Sequence, residues 1–60
     1  MSKAAKARRV YEDIELQLRD AIGRWEDETD HAEWLRAREA VYKLERKLQE
    51  AKETLSEVSK

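Results

Sequence analysis

Cysteine, proline and phenylalanine are absent from this 60-residue chain, and glycine and histidine occur once each, as Gly23 and His31. Without cysteine there is no disulfide framework, no thiolate metal site and no thiol nucleophile. Without proline, and with a single glycine, the usual punctuation of strands and tight hairpins is missing. No apolar run approaches the ~20 residues that span a bilayer. The N-terminal MSKAAKARR is basic but leads into no signal-peptide apolar core. A cytoplasmic protein without membrane contact is therefore expected. Neither sign of charge dominates, since 13 Lys and Arg oppose 14 Asp and Glu for a net charge of −1. Disorder usually accompanies a large net charge and no apolar period. Here the signs nearly cancel, and a period exists.

Ala4, Ala7, Tyr11, Ile14, Leu18, Ala21 and Trp25 are spaced by alternating steps of three and four. A second series does the same: Trp34, Ala37, Val41, Leu44, Leu48, Ala51, Leu55 and Val58. Each is the heptad seam of a packed helix. The two are out of phase, because continuing the first series past Trp25 lands on Glu28, Ala32, Leu35, Glu39 and Tyr42. The break falls within RWEDETDHAEW, where Asp30 followed by Glu33 resembles a capping box and Thr29 is the alternative cap. This predicts helices over about 3–27 and 31–58 joined by a turn at about 28–30, all within one domain, 1–60.

The expected fold is all-α, an antiparallel, coiled-coil-like two-helix hairpin. Folding about Thr29 and Asp30 sets Trp25 near Trp34, Ala21 near Ala37, Leu18 near Val41, Ile14 near Leu44, Tyr11 near Leu48 and Ala7 near Ala51. Seam meets seam at every level. Val10, Ile22 and Ala40 widen the apolar stripes beyond what one partner helix covers. A homodimer forming a four-helix bundle is the expected closure, with the seam residues as core and interface. Outer faces carry acids four residues ahead of bases, as Glu15–Arg19, Asp20–Arg24 and Glu39–Lys43, which predicts intrahelical ion pairs.

Chemistry-bearing motifs are few. Glu28 and His31 have the Glu-x-x-His spacing of carboxylate metal bundles, but they straddle the turn, and capping explains them better. No glycine-rich phosphate loop or grouped histidine and carboxylate occurs, so neither an enzyme nor a cofactor is expected. Trp25 and Trp34 read as an aromatic lid at the turn rather than a binding platform, because both occupy seam positions. Leu35 and Tyr42 lie off the seam, one heptad apart, as a possible patch for a protein partner.

Charge is unevenly placed. Lys3, Lys6, Arg8 and Arg9 make the N-terminal region basic, whereas residues 12–33 carry nine acids against Arg19 and Arg24. The hairpin is then basic at its open end and acidic at its turn. Such polarity suits subunit steering, and the four cations are also candidate nucleic-acid contacts. In layout the chain resembles the Rop family of small dimeric plasmid regulators, which implies a dimeric bundle. No residue motif carries the likeness, so no RNA-binding residues transfer with it.

The expected role is an oligomerisation or adaptor module acting through protein–protein interaction. The alternatives are a small plasmid- or phage-type nucleic-acid-binding regulator and a de novo designed bundle. The irregular turn, His31 and mid-helix Gly23 argue against design.

Overall fold

The structure, a computed structural model, describes residues 2–59. Two helices, α1 (Lys3–Asp27) and α2 (His31–Val58), pack against each other as a hairpin. The molecule measures 44 × 15 × 12 Å, so it is a rod two helices wide.

Helix α1 starts at Ser2, whose Oγ accepts a hydrogen bond from the Ala5 N–H at 3.1 Å. Ser2 thus caps the helix, satisfying an N–H group that the first helical turn would leave unpaired. Helix α2 starts on Asp30, whose Oδ1 accepts from the Glu33 N–H at 3.1 Å.

The turn between them is made without glycine and without positive φ. Glu28 leaves α1 in extended backbone, and its N–H donates to the Trp25 carbonyl at 3.3 Å. Its carboxylate then folds over the turn, where Oε1 accepts from the Thr29 and Asp30 N–H groups, each at 3.1 Å. One side chain thus satisfies two backbone donors, which is how α1 stops with no glycine behind it.

Burial follows the two seams. All fifteen seam positions are buried or half-buried, and among the described residues only Ile22 and Glu28 join them. Residues seven apart share a helix face, so each seam resolves into two rows. Tyr11, Leu18 and Trp25 on α1 lie with Trp34, Val41, Leu48 and Leu55 on α2 in a row of large residues. Ala7, Ile14 and Ala21 lie with Ala37, Leu44, Ala51 and Val58 in a row where small residues alternate with larger ones.

Of the three predicted outer pairs, Asp20–Arg24 closes at 3.3 Å. Glu15–Arg19 and Glu39–Lys43 form no ion pair among the described residues, whereas Glu33–Arg36 does, at 2.9 Å. Long exposed side chains gain little from holding one geometry against solvation and rotamer entropy. No helix among the described residues is long and apolar enough to cross a membrane.

Candidate interaction surfaces

The row of large residues ends at the turn in an aromatic group. Trp25 and Trp34 meet at 5.6 Å between ring centroids, and Tyr42 stands edge-on to Trp25 at 6.3 Å. The Arg38 guanidinium covers the outer side, 5.8 Å from the Trp34 ring and 5.5 Å from the Tyr42 ring. His31 stacks on Trp34, with centroids 6.4 Å apart and planes within 8°. One polar atom inside this group has no partner: Trp25 Nε1 is buried and makes no hydrogen bond.

Tyr42 therefore has a role within the hairpin, packing on Trp25 beneath Arg38, while remaining 52% exposed. Leu35, its neighbour one heptad away, is 41% exposed. Sequence spacing paired these two as a patch, but periodicity carries no rotamer information. It could not show that the tyrosine ring turns toward the tryptophans.

The row with alanines is different in kind. At the open end, Ala7, Val10, Ala51, Thr54 and Val58 line an almost wholly apolar groove of about 350 Å³, bordered by Lys3 and Lys6. Toward the turn, Ala21, Ala37, Ala40 and Leu44 line a second groove of about 470 Å³. Its border is charged, with Asp20, Arg24, Glu28, Glu33 and Arg36. Both grooves lie on one face, since Val10, Gln17 and Arg24 are a heptad apart, as are Ala37, Leu44, Ala51 and Val58.

The four basic N-terminal residues occupy more than one face of α1. Lys3 and Lys6 border the groove. Arg8 lies about 140° around the helix from Lys3 at 100° per residue. Lys3, Lys6 and Arg9 follow one another at steps of three along the helix surface, and Arg8 points away from that row.

Glu28 and His31 also have separate surroundings. The Glu28 carboxylate is engaged by the turn's backbone, and His31 lies against Trp34. No group of three or more metal-ligating side chains comes together among the described residues. No protein-family model, curated protein or solved structure matches the chain.

Proposed function

We propose that this hairpin is an oligomerisation module, a two-helix unit whose open apolar seam is completed by a second copy in a four-helix bundle. It acts through protein–protein interaction, as an adaptor, and not in catalysis. The observation that carries the proposal is the surface left uncovered. A compact monomer of 7.1 kDa would expose about 4,100 Å². This chain exposes 5079 Å². Its radius of gyration is 13.9 Å, against about 10.4 Å for a compact chain of this length.

The core tells the same story. Only Val41 and Ala51 are buried among the described residues, at 1% and 9% exposure. The other thirteen seam positions keep part of their surface in water. Pairing two hairpins into a compact globule would remove at most roughly 3,400 Å² from solvent. That lies within the range of about 2,000–5,000 Å² typical of obligate homodimers.

Thermal melting tests the proposal. Assembly linked to folding makes Tm fall on dilution, so a drop across about a hundredfold dilution is expected. A Tm independent of concentration would count against self-association.

A further inference from the structure

The two faces of the hairpin differ in what borders them, and this distinguishes the face a second copy would cover. On the side of the large residues, Leu18, Ile22 and Leu48 lie beside Glu15 and Arg19. Arg38 covers the aromatic end of that same side. Long charged side chains shield apolar surface there while their heads stay in water. On the opposite side the positions flanking the seam include Val10, Ala40 and Thr54, which carry no charge. Val10 is 47% exposed, and Ala40 is exposed too. That side lacks such a cover at these three positions, which lie between the charged residues bordering its two ends.

The charges on α1 run against its own dipole. Lys3 and Lys6 occupy the first turns, which contain no acid, although the N-terminal end of a helix favours anions. Glu26, Asp27 and Glu28 sit at the other end, where cations are favoured. At the turn Arg24 and the N-terminus of α2 offset the acids, whereas at the open end Lys3 and Lys6 meet no acid in the first turn of α1. On the groove itself, Asp20 is tied to Arg24 and Glu33 to Arg36. The carboxylate bordering the turn end outside these ion pairs is that of Glu28, held by the Thr29 and Asp30 N–H groups through Oε1 but with no cation against it, and the cations bordering the open end are Lys3 and Lys6.

We infer that a second copy of the chain docks on the groove floored by Ala7, Ala21, Ala37 and Ala51, antiparallel, with the open end of each hairpin against the turn end of the other. This rests on the self-association proposed above and adds its face and direction. Twofold symmetry perpendicular to the groove brings Lys3 and Lys6 of each copy to the acidic end of the other. The lysines at the start of α1 then meet carboxylates that the first turn of their own helix lacks. Turning the second copy end for end would set lysines against lysines and acids against acids. Near the axis Ile14 and Leu44 fill the middle of the interface, and the small alanines let the facing helices approach closely. Val10 stands at the open end of the groove, level with the partner's alanine-lined section toward its turn.

Two measurements test face and direction separately from self-association. Val10→Glu and Ala40→Glu each bury a charge twice per dimer and should weaken dimerisation at least about a hundredfold by analytical ultracentrifugation. Leu35→Glu, on the other side of α2, should leave the dimer intact. Circular dichroism at high concentration checks that each variant stays helical. A dimer that survives both groove variants but is broken by Leu35→Glu would overturn the face and leave self-association standing. A wild-type chain that never dimerises would instead remove the reading beneath the inference.

For direction, a single spin label at Asp27→Cys reports only distances between copies, because the chain has no other cysteine. The antiparallel dimer separates the two labels by about 35 Å or more along the axis, at 1.5 Å per residue. A distance under about 25 Å, the width of neighbouring helices plus label arms, would overturn the antiparallel arrangement.

Discussion

Trp25 and Trp34 lie nine residues apart in sequence and meet across the turn at 5.6 Å between ring centroids. A continuous helix would hold them ~13 Å apart along its axis. Their contact is the packing counterpart of the phase break between the two seams, which forces the chain to double back. The pair closes the turn end of the molecule, with Tyr42 and Arg38 packed around it.

The buried Trp25 Nε1 sets up the first prediction. A buried donor without a partner costs about 1–3 kcal/mol, so the indole contributes packing at the expense of that penalty. Trp25→Phe keeps an aromatic ring and removes the donor. Its unfolding free energy in urea should stay within about 1 kcal/mol of wild type or exceed it, after a small loss of area. Trp25→Ala should lose at least about 2 kcal/mol, toward the lower end for core truncations because the ring is only half-buried. Equal losses from both variants would show that the nitrogen, not the ring, matters.

The turn depends on two carboxylates. Asp30→Ala removes the N-cap of α2 and should cost about 1 kcal/mol. Glu28→Ala frees two backbone N–H groups, which exposure lets water satisfy, and should cost a similar amount, about 0.5–1.5 kcal/mol. Urea denaturation read by circular dichroism measures both. A neutral Glu28→Ala would mean that the turn forms without the carboxylate folded over it.

Gly23 lies inside α1 on an exposed face, and a Cβ added there meets nothing within 4 Å. The backbone requires no glycine at this position, since φ is not positive. Gly23→Ala should stabilise the protein by about 0.5–1 kcal/mol, because alanine loses less backbone freedom in a helix. That is a rise in Tm of several degrees, roughly 4–8 °C per kcal/mol for a small domain. A fall in Tm would reveal a close approach at Gly23 absent from the single hairpin.

The helical hairpin was legible because it rests on period and on capping. Heptad steps locate the half-buried positions, and Asp30 with Glu33 marks where α2 starts. Side-chain direction was less legible. Glu28 entered as the acid of a Glu-x-x-His spacing, and its role in holding the turn depends on a rotamer that brings Oε1 back to two N–H groups. Tyr42 turns to Trp25 from a position the heptad places outside the seam. The charge-bordered groove was half visible. Polarity of the ends could be read from sequence, but its alignment with the alanine side needed both helices in register.

Closure of the open seam by a second copy is measured directly by sedimentation equilibrium of the unmodified chain at micromolar concentration. The predicted result is a mass of twice the 7.1 kDa chain, falling toward one chain on dilution. A mass of 7.1 kDa at every concentration would contradict it.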